Sequence, residues 1–262
     1  MTPAALAVLL TMSLFLGMLL FLEVGRRAAL RRLKDQSGAG SEGIGAVDGA
    51  VFALLGLLIA FTFSGASARF DTRRHLIVEE TNNIGTAYLR LDLLPAEARR
   101  TLRENFRRYL DVRIEAYRKL PDIAAARELL GTATELQGDI WRQTIAASRM
   151  DGAAPSAPML LLPALNAMFD ITTTRTMASE MHPPAIVFVM LFGLALTASL
   201  LAGYGMAGGG ARSWVHMLGF PLVMAVSVYV ILDMEYPRLG VIRVDAFDQA
   251  LVDLRRSMNA DP

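Results

Sequence analysis

Four stretches of the chain are apolar enough and long enough to cross a bilayer, and they fall into two pairs separated by a long charged segment. Ala4 to Leu22 carries no charge and, at 1.5 Å per residue, covers about 29 Å, one hydrocarbon core. Gly49 to Gly65 (GAVFALLGLLIAFTFSG) is the second span, lengthened by Ile44 to Val47 if Asp48 sits at the interface. Ala185 to Gly203 and Trp214 to Leu232 are the third and fourth. Pro183 and Pro184 stand where the third begins, the place a helix tolerates proline best, and Pro221 inside the fourth predicts a kink. The glycine-rich link Tyr204 to Ser213 predicts a tight turn with Tyr204 and Trp214 at interface depth. A secretory signal is the rival reading of the first stretch, but Arg26 and Arg27 follow it and no basic region precedes it, the reverse of a signal's order.

Beyond Ala66 the pattern changes from uniformly apolar to amphipathic. Phe70, Ile77, Thr81, Ile84, Tyr88 and Leu91 recur at helical spacing, and only Gly65 and Gly85 weaken the run, so the second span is predicted to continue out of the membrane as a stalk. Asp71 with Arg74, and His75 with Glu79, fit its polar face. Pro95 starts a further helix carrying Leu102, Phe106, Tyr109 and Leu110, and Pro121 starts another. Thr132 and Glu135 suggest a capping box for one more, running to about Met150. Gly152 to Pro158 reads as a loop, and Met159 to Met181 as an amphipathic helix interrupted at Pro163. After the fourth span, Tyr236 to Val244 reads as extended or turn and Asp245 to Met258 as a helix capped by Asp245. The fold class is an all-α membrane protein: a first transmembrane hairpin (1–65), a charged helical-bundle insert (66–182), a second hairpin (183–233) and a tail (234–262) whose short helix packs on the insert. Because two spans separate insert from tail, both leave the bilayer on the same side.

Composition agrees with a multi-pass protein of the cell inner (plasma) membrane: 53% of the 262 residues are hydrophobic. A net charge of +1 gives no general attraction to nucleic acid, so the lipid bilayer is the expected partner. The absence of cysteine excludes disulfides and thiol chemistry and leaves the redox compartment open. His75, His182 and His216 lack the spacing of metal ligands, which predicts structural or interfacial histidines and no metal site. No nucleophile elbow, Walker loop or dinucleotide fingerprint occurs; Gly208 to Gly210 has neither the preceding strand nor the lysine that phosphate cradling uses. Neither enzymatic activity nor a cofactor is therefore expected. Orientation divides: Arg26, Arg27, Arg31, Arg32 and Lys34 load the first link, while Arg69, Arg73, Arg74, Arg175, Arg238 and Arg243 load the other face.

The mouth of the second span holds the most informative chemistry. Arg69, Asp71, Arg73, Arg74, Glu79 and Glu80 follow the span at once, and Asp233, Glu235 and Arg238 reach the same membrane face from the fourth. In a solvated stalk these are snorkelling or paired charges. In a homo-oligomer with the second span around an axis, Leu55, Ile59 and Phe63 would repeat as apolar constriction rings, and the charges would bias approaching inorganic ions.

The run LLIAFTFSGASARFDTRRHLIVEETNNIGTAYLRLDLLP (57–95), with DMEYPRLGVIRVDAFDQALVDLR (233–255), resembles the bestrophin-like domain family of bacterial membrane proteins, itself named for a distant likeness to bestrophins. Bestrophins are pentameric channels whose second span lines the pore and continues into a cytoplasmic helix. The Ala-Phe pair of prokaryotic bestrophins has its counterpart in Ala60-Phe61, whereas their Arg-Trp-Trp-Glu run is replaced by Arg69-Phe70-Asp71-Thr72-Arg73-Arg74. The acidic calcium clasp of animal bestrophins is missing too, so neither calcium gating nor the choice of ion carries over. The resemblance implies an oligomeric ion channel with the insert as a cytoplasmic vestibule; the alternative is a non-conducting scaffold or sensor whose insert binds a partner.

Overall fold

The computed structural model describes residues 3–35, 44–120, 122–209, 214–238 and 240–259. Within them it forms eight α-helices and no strand. The chain divides into two compact units, one of residues 1–68 and 182–241, the other of residues 69–181 and 242–262.

The first unit holds four helices with the length and apolarity to cross a membrane: α1 (Pro3–Asp35), the first half of α2 (Ile44–Leu89), α6 (Ala185–Gly205) and α7 (Trp214–Glu235). Each is uniformly apolar over its span, as expected where both lipid and neighbouring helices are hydrophobic. Several hydroxyls inside the spans donate to the carbonyl four residues back, Thr62 to Leu58, Ser199 to Ala195 and Ser227 to Val223, so these donors are not left bare in hydrocarbon. Leu14, Met18, Leu191, Ala195 and Val228 are buried where α1, α6 and α7 meet.

α1 and α6 approach most closely at a pair of glycines. A Cβ on Gly25 would lie 2.0 Å from the carbonyl oxygen of Leu200, and one on Gly203 would lie 2.0 Å from that of Leu22. Each glycine lets the other helix's backbone into the space a side chain would occupy, the small-residue packing that membrane helices use because hydrocarbon gives them no hydrophobic driving force to associate. α7 ends on a built turn: the buried carboxylate of Asp233 accepts from the Val241 amide at 2.9 Å and 3.1 Å, and Gly240 passes so close that a Cβ there would meet Asp233 Oδ1 at 1.7 Å. α7 runs as helix through Pro221.

α2 runs unbroken for 46 residues, through Gly65 and Gly85, and closes in a 3₁₀ turn at Arg90–Leu93. Its second half belongs to the other unit. There Ile77, Ile84, Tyr88 and Leu91 are buried, with Phe70 and Thr81 half-buried, along the amphipathic seam. They meet α3 (Ala96–Arg118), α4 (Ile123–Ala147), α5 (Ala157–Glu180) and α8 (Asp245–Ser257) around a core of Leu102, Phe106, Tyr109, Leu110, Ile140 and Leu161. Tyr88 meets Phe106 edge to face, ring centroids 5.9 Å apart. Asp111 receives a bidentate Arg255, and the Met258 carbonyl accepts from Arg107, which together fasten α8 to α3.

Three local expectations need correction. Thr132 does not open a new helix: its hydroxyl donates to Glu128 inside one continuous α4, because nothing before it leaves helical geometry. The cap of α4 is Asp122, which accepts from the Ala125 amide at 3.1 Å. Pro163 does not interrupt α5; it is exposed, so the carbonyl its ring deprives of a donor lies on the solvent side. Asp245 sits within the first turn of α8, where it pairs with Arg243 instead of capping. The turn between α4 and α5 is made by Gly152 at φ 87°, a conformation side chains resist. In the predicted glycine-rich link between the third and fourth spans, Tyr204 and Gly205 close α6, Met206–Gly209 form a 3₁₀ turn, and residues 210–213 lie outside those described.

Candidate functional site: the second span and its charged band

The membrane half of α2 has two unlike faces. At 100° per residue, Val51, Phe52, Leu55, Leu58, Ile59, Thr62 and Ala66 share one side. Leu55 is 2% exposed and Ala66 fully buried; Phe52 meets Phe220 of α7 edge to face with centroids 5.9 Å apart. The opposite side carries Ala46, Ala50, Ala53, Leu57, Ala60 and Ser64, all exposed, flanked by Leu54 and Phe61. Apart from Leu57 this is a stripe of small side chains, and among the described residues nothing covers it.

The sequence candidates separate across these faces. Leu55 is spent on packing within the chain, Ile59 is half-buried beside it, and Phe63 is 46% exposed on the flank. Apolarity alone is the same on both faces, so the exposed stripe is marked in the sequence only by the alternation of small and large residues at helical spacing.

The charges after the span are not one band either. Asp71 and Arg74 form an exposed pair at 3.0 Å, and Arg74 lies over the Phe247 ring at 4.3 Å. Arg69 is half-buried and Glu79 exposed. Arg73 is buried and donates to the carbonyls of Ala178 and Met181, at 3.0 Å and 2.8 Å, neutralising the C-terminus of α5. Glu80 is wholly enclosed: Arg113 donates to it at 2.7 Å, Arg175 donates to its other oxygen, and Tyr117 donates at 3.4 Å. The Arg175 guanidinium stacks 4.1 Å above the Tyr117 ring and reaches Asp248 at 3.9 Å. Burial alone would raise the Glu80 carboxyl, but Arg175 and Arg113 outweigh it and hold the group below the usual carboxylate range. Arg113, Tyr117 and Arg175 come from remote points of the chain, so no local spacing could have assigned them to Glu80.

From the other unit, Asp233 is committed to the Val241 turn, Glu235 is 2% exposed with Oε2 3.4 Å from His182 Nδ1, and Arg238 is half-buried. His75 and His216 are exposed. Among the described residues no three His, Asp or Glu side chains gather as a metal site would need.

This architecture, four membrane-crossing helices with a helical insert after the second, is the setting in which the bestrophin-like domain model matches residues 12–246. The chain belongs to the bestrophin-like domain family. The match begins within the first span, takes in the other three spans and the whole insert, and reaches the first turn of α8. No curated protein and no solved structure matches the chain. Membership of the bestrophin-like family, with four apolar helices, makes this a multi-pass membrane protein.

Proposed function

We propose that this bestrophin-like protein assembles into a homo-oligomeric ion channel, with α2 of each copy turned toward a central pore. The observation that carries the reading is the uncovered small-residue face of α2. A span meant only for lipid has no need of a stripe such as Ala46, Ala50, Ala53, Ala60 and Ser64, whereas close approach between helices requires one. On this reading Leu57 and Phe61, the bulky residues on and beside the stripe, form the apolar constriction, Phe63 borders it, and Leu55 and Ile59 hold the helix to its own chain. Arg69, Asp71, Arg74 and Glu79 then act on ions near the mouth, while Arg73 and Glu80 serve the insert's fold. Family membership supports the same kind of activity without fixing the ion.

The test is single-channel recording of the purified protein in planar bilayers, beside its mass in detergent. Leu57→Ala is expected to raise conductance or leak while the protein remains as stable as wild type. A monomeric protein that passes no current, with Leu57→Ala equally silent, overturns the reading in favour of a non-conducting scaffold.

A further inference from the structure

Between the first turns of α1, the first two turns of α6 and the last turn of α7 lies a cavity of about 530 Å³. Its walls are apolar, formed by Leu6, Leu10, Phe188, Val189, Phe192 and Leu232. Leu6 and Val189 are exposed at 42% and 63%, so the slot opens sideways at the flank of the spans. One end is polar. Glu235, His182 and Tyr236 meet there, with the histidine and tyrosine rings 4.7 Å apart and the Glu235 carboxylate 2% exposed. That end coincides with the start of α6 and the finish of α7, the level at which hydrocarbon gives way to headgroups.

An apolar slot on the flank of membrane helices faces a solvent of acyl chains. Water gains nothing from its walls, and leaving it empty forfeits the dispersion contacts of every lining atom. The polar end selects among the lipids that can supply a chain. A carboxylate accepts from a primary ammonium in a charge-assisted hydrogen bond, offers a quaternary ammonium no such bond, and repels a headgroup that is only anionic.

We propose that this slot binds one acyl chain of a bilayer phospholipid whose headgroup carries a primary ammonium, and that the ammonium donates to Glu235. The site lies apart from the exposed stripe of α2, and its test reads no current, so it stands or falls independently of conduction.

Full-length protein, stripped of lipid in mild detergent, is mixed with phosphatidylethanolamine, phosphatidylcholine and phosphatidylglycerol of identical chains, and retained lipid is counted by native mass spectrometry. Wild type is expected to keep one phosphatidylethanolamine about tenfold more often than either competitor, the worth of one charge-assisted hydrogen bond. Val189→Trp, a substitution at an exposed rim position, plugs the slot and is expected to abolish retention of all three. Glu235→Gln is expected to leave retention but erase the preference. Equal retention by wild type, a preference for phosphatidylglycerol, or a bound lipid that survives Val189→Trp each overturns the proposal.

Discussion

Glu80→Gln is the sharpest test of how the insert is held together. The substitution keeps size and acceptor geometry but removes the negative charge shared by Arg113 and Arg175, whose side chains are 3% and 7% exposed. Two guanidiniums then face each other in a dry site, with Asp248 at 3.9 Å as partial compensation for one of them. Breaking a buried pair by removing one partner costs about 3–5 kcal/mol, because the remaining charge stays buried without its counter-ion. For a domain of this size each kcal/mol lowers the melting temperature by roughly 2–4 °C, so a drop on the order of 10 °C is expected. Melting is followed on the full chain in detergent through the fluorescence of Trp141, which packs on Phe169 in the same unit at a centroid distance of 6.4 Å. Asp71→Asn is the control: it breaks an exposed pair of similar geometry and is expected to cost at most about 0.5 kcal/mol. Replacing Glu80, Arg113 and Arg175 together with apolar residues is expected to recover much of the loss, since no charge is then stranded. If Glu80→Gln melts within the error of Asp71→Asn, the buried-charge argument is wrong.

Further outcomes follow from the same geometry. Because the Glu80 carboxyl is held below its ordinary range, its contribution is full above the unfolded value of about 4.3 and is lost only as pH falls through the lower folded value. The gap in melting temperature between wild type and Glu80→Gln should therefore hold from pH 7 to pH 5 and close under stronger acid; a gap that closes by pH 5 contradicts it. Gly203→Ala places a methyl 2.0 Å from the Leu22 carbonyl oxygen and is expected to cost about 1–3 kcal/mol of thermal stability, whereas Gly193→Ala, with nothing within 4 Å, should be neutral. Gly240→Ala drives a methyl onto Asp233 and should loosen the turn after α7, visible as faster amide exchange at Val241. Leu55→Ala is expected to destabilise by about 2–5 kcal/mol, and Leu57→Ala by far less; the reverse order would show that the two faces of α2 have been assigned the wrong way round.

Much of this was legible from hydrophobic pattern. The spans, the passage of α2 through Gly65 and Gly85, and the seam of Ile77, Ile84 and Tyr88 follow from periodicity, because membrane burial and helix faces are local properties of the chain. Capping was less legible: Thr132 and Glu135 have the residues of a start signal, but a threonine inside an established helix simply bonds the preceding turn. The candidate site divided along the same line. Exposure of Asp71 and Arg74 could be read from spacing, whereas the burial of Glu80 depends on Arg113 and Arg175 arriving through tertiary packing. Leu55 is large and apolar, and a residue fit for a constriction is equally fit for a core, so residue type alone does not separate the two.

The glycine contact between α1 and α6 also decides what can move in the membrane. With backbone against backbone at Gly25 and Gly203, those two spans have no compressible side-chain layer between them at that point, which favours their staying together as one block. α2 packs within its unit through the narrow Leu55 side, including the Phe52–Phe220 edge with α7, and leaves its other side exposed. On the channel reading proposed above, rearrangement inside the bilayer falls to rolling or tilting of α2, and Phe52 and Phe220 are where it is felt first.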